Sequence, residues 1–439
     1  MSPPADTPRA DLHPARILRL WWPLALSWLL MAADNQVLTA WVARMPEPEV
    51  NLAAWGSIVF PIALVVEGPI IMLLAASTAL VRDAASYRKL YRFMMAAGAG
   101  LTAVHLLVAF TPLYDVVARD VLGAPAEVLE PGRLGLRLMT PWTWAIAHRR
   151  FHQGILIRRE RSRAIVVGTG VRLATVTVVL ALGYAHGGFP GIAVGSAAIS
   201  AGVLAEMGFV ARAVRPVLRD HVLPAPPAPE PLTRGSFLRF YVPLAITPSL
   251  TLMIQPVAAW AINHMPRALL SQAAWTPVYS FVFLARGMGF AFNEVVVALL
   301  GEPGAARVLR RFSLVLAAAT SGGLAVLALT PLSTLWFGSV AGLEGDLLGL
   351  ARTGILVAVL MPAYAVLQSL YTGALVHAER TRGVTEAVVL YAATAAGLLS
   401  LGAWLDPTAG LYVGLVSLTV AGVLQTVWLF VRGRSNLRA

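Results

Sequence analysis

The stretch Ala145–Leu156, "AIAHRRFHQGIL", sets two arginines and two histidines into an otherwise apolar run. Guanidinium groups in a water-poor setting bind phosphate or carboxylate through multidentate, charge-assisted hydrogen bonds. His148 and His152 are four residues apart and share a helix face. With arginines beside them and no third ligand in the pattern they suit titration or hydrogen bonding, not a metal. Further ionisable residues fall inside apolar runs: Asp34, Glu67, Arg172, Glu206, Arg286 and Glu294. Charges at such positions are costly, and by default they mark an ion path, a coupling site or a structural pair.

Charges of this kind need apolar elements to carry them. The chain has 439 residues, of which 58% are hydrophobic and 13% charged, and its mean hydropathy is +0.72. Apolar runs of about 20 residues recur, the length that crosses a bilayer core. The pattern predicts an all-α polytopic membrane protein with spans near 17–43, 53–81, 92–113, 134–157, 164–185, 190–215, 237–263, 270–300, 311–337, 353–376, 384–404 and 408–431. The polar, Pro-rich N-terminus carries no small-residue cleavage site, so the first span is read as retained. There is no cysteine, which removes disulfides and thiolate metal sites.

The net charge of +12 reports topology and not nucleic-acid binding. Most basic residues, Arg9 and Arg438 of the tails among them, fall on one side. Only Arg44, Arg119, Arg133, Arg137, Arg267 and Arg352 fall on the other. The richer side is cytoplasmic and holds both termini. Arginine outnumbers lysine, with Lys89 alone, which points to a GC-rich bacterial genome and the bacterial cytoplasmic membrane.

The spans form an internal repeat. "RILRLWWPLALSWLLMAADNQVLTAWVARMP" from Arg16 matches "SFLRFYVPLAITPSLTLMIQPVAAWAINHMP" from Ser236 at an offset of 220, and "GILIRRERSR" from Gly154 matches "GALVHAERTR" from Gly373 at 219. Six spans per unit is even, so both halves insert alike, related by an axis along the membrane normal. The expected organisation is a tail (1–16), an N-lobe (17–216), a Pro-rich linker (217–236), a C-lobe (237–432) and a short tail (433–439). Two lobes facing a central cleft make an alternating-access transporter.

The repeat also places the opening stretch. "HRRFHQG" (148–154) falls on "LQSLYTG" (367–373), inside a clear apolar span, so the fourth helix continues to about Ile157. Arg150 then lies ~12 Å inside the boundary and Arg172 ~13 Å, in one layer. An uncompensated arginine there costs at least ~2.5 kcal/mol, so a wet cleft is expected, with Arg150 rather than Arg149 facing it. Asp34 and Glu67 lie ~22 Å deep and Arg286 ~24 Å. Glu206 reads as an ordinary boundary residue. Proton or sodium coupling by Asp34 or Glu67 competes with a structural pair such as Glu67–Arg286. Pro248 and Pro256 mark the seventh helix as a bent gating element. No P-loop is present.

Several segments resemble the progressive ankylosis protein family, within the MOP superfamily that holds MATE drug exporters and the flippases of lipid-linked oligosaccharide and peptidoglycan precursors. They are "WWPLAL" (21–26), "EGP" (67–69), "HQGILIRRERS" (152–162), "YVPLAI" (241–246), "IQPV" (254–257) and "NEVVVA" (293–298). The resemblance implies two V-arranged six-helix lobes and export of anions such as pyrophosphate, nucleotides or citrate. His152, Gln255 and Glu294 fall where family members carry polar or charged residues. The chain departs at Gln255, where the family tends to have arginine, and at "IIMLL" after Gly68-Pro69.

The expected function is therefore secondary-active export of a phosphate- or carboxylate-bearing solute, without catalysis or metal. Arg149, Arg150, His152, Arg172, Arg286 and Gln255 would hold the anion. Asp34, Glu67 and Glu294 would couple to H+ or Na+ or latch the lobes, in a monomer. The rivals are a flippase for polyprenyl diphosphate-linked lipids and a cation-coupled multidrug exporter using Asp34, Glu67, Trp21, Trp22, Trp41 and Trp260. An intramembrane enzyme or a scaffold would explain neither the repeat nor the deep charges.

Overall fold

A computed structural model describes residues 12–159, 161, 163–228, 231–378, 380, 382–405 and 409–437, with the backbone alone at Ser27, Pro243 and Thr247. Arg9 and Arg438 lie outside the described residues. Among the described residues there are twelve long helical rods and no strand. They are α1 (Pro14–Val42), α2 (Pro48–Leu80), α3 (Ala84–Phe110), α4 (126–158), α5 (Arg163–His186), α6 (Gly191–Val222), α7 (Arg234–Asn263), α8 (Ala268–Leu299), α9 (Ala305–Leu329), α10 (Gly345–His377), α11 (Arg382–Leu405) and α12 (Gly410–Gly433). Ten are long and apolar enough to cross a membrane. The other two, α1 and α4, carry Asp34 and the paired arginines.

The rods extend past the apolar runs because their ends are set by caps. α3 begins at Ala84, where Asp83 and Ser86 form a capping box, so Arg88, Lys89 and Arg92 ride on its first turns. Thr233 and Ser236 start α7 in the same way. Prolines mark the bends. α4 breaks at Met139, two residues before Pro141, α10 breaks over 358–360, two to four residues before Pro362, and α7 breaks at Met253, ahead of Pro256. Pro256 has no N–H for the helical bond to Leu252. Pro248 causes no interruption within Arg234–Leu252.

Element ends fix the register of the repeat. Pro48 and Ala268 begin α2 and α8, 220 residues apart, whereas Leu80 and Leu299 end them 219 apart. The extra residue of α2 is taken up in the π-helical turn Trp55–Val59, while α8 is one continuous α-helix. From there the offset of 219 holds through Arg163 and Arg382, then Gly191 and Gly410. Close helix crossings repeat too. A Cβ on Gly154 would collide with Leu74 O and Ser77 Oγ of α2, and one on Gly373 would lie 2.7 Å from Val296 Cβ of α8.

The lobes meet along two seams. On one, α1 packs on α8: Trp21 Nε1 donates to Met288 O at 2.8 Å, and Trp28 sits against Phe283 and Phe290. On the other, Tyr241 of α7 donates to Pro69 O at 2.6 Å, and Phe93 packs on Phe237 and Tyr241. The outer end is closed: Asn263 Nδ2 donates to Leu122 O at 2.7 Å, Arg44 Nη2 to Ser339 O at 2.5 Å, and Gly56 lies against Thr276. Toward the inner end α2 leaves α8, its last segment Leu73–Leu80 packing on α3 and α4 of its own lobe.

Candidate functional site

Two polar centres occupy the interior. The first is a charge network inside the N-lobe. Arg149 of α4 donates from Nη1 to Glu206 Oε2 of α6 at 2.5 Å, and Gln153 Nε2 donates to Glu206 Oε1 at 3.1 Å. Arg172 of α5 places Nη1 3.4 Å from Glu206 Oε2 and Nε 2.7 Å from Asp34 Oδ2 of α1. Glu67 of α2 is buried, and it forms no ion pair within 4 Å among the described residues. Two guanidiniums and two carboxylates thus meet in ion pairs from four helices, and with Arg150 and Glu67 the N-lobe interior holds equal numbers of basic and acidic side chains. Buried ion pairs hold only when such partners and hydrogen bonds compensate the desolvation.

This placement corrects two expectations. Arg149 and Arg172 do not line the central cleft: they are 4% and 5% exposed and engaged by the protein's own acids. Arg150 is only partly buried, but it too lies outside the cavity lining. The argument from cost required compensation, and carboxylates supply it where water was expected. Glu206 is no boundary residue. It is fully buried and is the hub of the network. The signal for it was available, since α5 and α6 are joined by a short turn and both carry a charge at matching depth.

His152 is also away from the cleft. It meets the rings of Phe151 and Tyr91 edge-on and keeps Nδ1 2.8 Å from His148 O. Glu294 is exposed on the inner half of α8 and outside the cavity lining. Glu67 and Arg286 form no ion pair with each other among the described residues. Inter-lobe pairing occurs instead at the inner rim, where Arg16 Nη1 lies 2.8 Å from Glu302 Oε2.

The second centre is the cavity between the lobes, about 410 Å³ in volume. Arg286 and Gln255 line it, with Asn35 from the N-lobe. Arg286 is the one charged residue of that lining among the described residues. Its guanidinium lies 5.3 Å from the Phe290 ring centre and 5.4 Å from that of Tyr364. Tyr279 and Tyr391 share the cavity lining with it. No carboxylate stands within 4 Å of it among the described residues, and its Nε has no hydrogen-bond partner. Beyond it, Gln368 Nε2 donates to Gln425 Oε1 and to Gly422 O, both at 3.0 Å.

The two centres are copies of one another through the repeat. At an offset of 219, Glu67, Arg149, Arg172 and Glu206 fall on Arg286, Gln368, Tyr391 and Gln425. The Arg149–Glu206 ion pair of the N-lobe is a Gln368–Gln425 amide pair in the C-lobe. The N-lobe copy is closed and balanced, whereas the C-lobe copy opens into the cavity with one uncompensated cation.

The fold is that of MOP superfamily transporters. A multidrug resistance MATE family transporter in an inward-facing conformation superposes with a TM-score of 0.71 at 15% identity, over 97% of this chain and 98% of that one. The lipid II flippase MurJ, inward closed, gives 0.71 at 12% identity over 95% and 89%. A MOP superfamily transporter from Pyrococcus furiosus gives 0.66 at 16% identity over 98% and 96%. No protein-family model and no curated protein matches the sequence.

Proposed function

We propose that the protein is a secondary-active transporter that exports an anionic solute by alternating access. One observation carries this reading: Arg286 stands in the central cavity with no carboxylate beside it. A cation in a water-poor cavity without a counter-ion attracts an anion and disfavours a cationic drug. The Pyrococcus furiosus transporter is described as having a binding pocket of reverse polarity that suggests a different function. Anion export also agrees with the ankylosis-type sequence resemblance.

Both seams between the lobes are packed shut by Trp21, Trp28, Phe93 and Tyr241. That favours a solute entering from the inner mouth over a lipid-linked diphosphate entering sideways. Coupling falls to the N-lobe network. A proton taken up by Asp34 would release Arg172 from its partner and change the packing of α1 against α5. Glu67, buried beside no ion pair of its own, is the second candidate for the coupling proton. Sodium is the alternative ion. The setting is the bacterial cytoplasmic membrane, and the working unit is a monomer.

The test is thermal stabilisation of detergent-purified protein by citrate, pyrophosphate, nucleotides, a polyprenyl diphosphate and cationic dyes. A ligand at 100 times its Kd stabilises by about 2.7 kcal/mol. The reading expects stabilisation by an organic or phosphate-bearing anion and its loss in Arg286→Gln. Stabilisation by the dyes alone, or unchanged stabilisation in the variant, overturns it.

A further inference from the structure

We infer that the transported solute is an amphipathic organic monoanion: a flat, apolar body bearing one carboxylate or sulfonate. The inference rests on the anion reading above and narrows it by charge, shape and the repeat.

The two copies of the centre differ in charge. In the N-lobe, Arg149 and Arg172 are engaged by Glu206 and Asp34, and Arg150 lies outside the cavity lining, so none of the three guanidiniums is presented to a solute there. In the C-lobe, the position of Glu67 carries a guanidinium, Arg286, and the other five ions are replaced by two amides (Gln368, Gln425), a phenol (Tyr391), a hydroxyl (Ser369) and an aliphatic side chain (Ile254). Bringing in citrate or pyrophosphate would leave two or more negative charges uncompensated and desolvated. A single carboxylate or sulfonate is neutralised by Arg286 and accepts further hydrogen bonds from phenolic O–H groups lining the site, such as Tyr279 and Tyr391.

The shape argument comes from the walls. Trp55 and Phe60 of the N-lobe stack with ring centres 5.6 Å apart and planes at 23°. Trp275 and Tyr279 of the C-lobe stack at 5.1 Å and 8°. All four line the cavity, with Phe283 and Phe290 continuing the wall toward Arg286. Broad aromatic faces contributed by both lobes suit a planar apolar body, which a small hydrophilic polyanion lacks.

Equilibrium dialysis on the purified full chain tests this with four probes: 2-naphthoate, 2-naphthyltrimethylammonium, citrate and pyrophosphate. The inference expects 2-naphthoate to bind about tenfold or more tighter than the other three, and to weaken about tenfold in Arg286→Gln, as for one lost charge-assisted contact. If that variant does not fold, Tyr391→Phe and Trp275→Leu take its place, and both are expected to weaken 2-naphthoate. Tighter binding of citrate or pyrophosphate, dependent on Arg286, overturns the monoanion class and leaves the anion reading standing. Tighter binding of the ammonium probe, or 2-naphthoate binding that none of these variants changes, overturns both. Absence of binding by all four overturns the inference.

Discussion

Glu67 and Arg286 stand at equivalent positions of the two lobes and carry opposite charge. The first is buried with an N-lobe network of ions, and the second lines the cavity among aromatic rings. One repeat unit has thus been turned into an internal, charge-balanced centre and the other into an open, cationic one. The same geometry serves both: α4 and α6 meet through Arg149 and Glu206, α10 and α12 through Gln368 and Gln425.

That correspondence predicts a rescue. Glu206→Gln leaves Arg149 and Arg172 buried with one fewer acid, which should cost about 3–5 kcal/mol. Adding Arg149→Gln rebuilds the amide pair of the other lobe and should recover much of the loss. The midpoint of thermal unfolding in detergent checks it. A double variant no more stable than the single one would count against the equivalence.

Closure of the outer end is open to a chemical test, because the chain has no cysteine of its own. A Cβ at Gly56 would lie 2.9 Å from Thr276 Oγ1, near enough for a disulfide between Gly56→Cys and Thr276→Cys. Oxidation should crosslink the lobes and stop transport in proteoliposomes, and reduction should restore it. Full transport by the oxidised, crosslinked protein would mean that this contact never opens.

The helix crossings at the repeated glycines should be intolerant of any side chain. Gly154→Ala drives a methyl into Leu74 O, and Gly373→Ala drives one into Val296. Each should cost about 1–3 kcal/mol or more, as overpacking does. Gly170→Ala, with open space around it, serves as the control and should be neutral or slightly stabilising. Thermal unfolding of the three variants decides.

On the inner face, Asp83 ties the inter-lobe linker to the N-lobe. Its carboxylate accepts from Ser86 N at 2.8 Å and from Ala228 N at 2.7 Å, and these donors hold it down at about 2. A carboxyl held below its unfolded value stabilises above about pH 4 and loses that contribution as pH falls through about 2. At neutral pH the tie is fully present. Asp83→Ala should therefore raise hydrogen exchange across residues 224–233 at pH 7, read by mass spectrometry. Exchange unchanged from the native protein would show the tie to be dispensable.

Much of the architecture was legible in the residues. Apolar run lengths and the repeated "MP" and "RS/TR" punctuation gave the rods and the two lobes. The continuation of α4 through Arg158 followed from its match with the uncharged stretch 353–376 of α10. The partners of the buried charges were not legible. Depth along a helix says how far Arg149 and Arg172 lie from the surface, but not which face they turn or that Glu206 turns toward them. Gln368, Tyr391 and Gln425 look like ordinary polar residues of membrane helices until the register is known. The change of offset from 220 to 219 was visible between the matched segments, but its place, the π turn of α2, is set by the backbone.

The central claim is that Arg286 sets the charge of the solute. The most direct measurement is the preference between 2-naphthoate and 2-naphthyltrimethylammonium in the native protein and in Arg286→Glu, which gives the C-lobe the acid that its partner lobe carries at Glu67. The account predicts that the native protein prefers the carboxylate and that the variant, still folded, prefers the ammonium. The same preference in both proteins would contradict it.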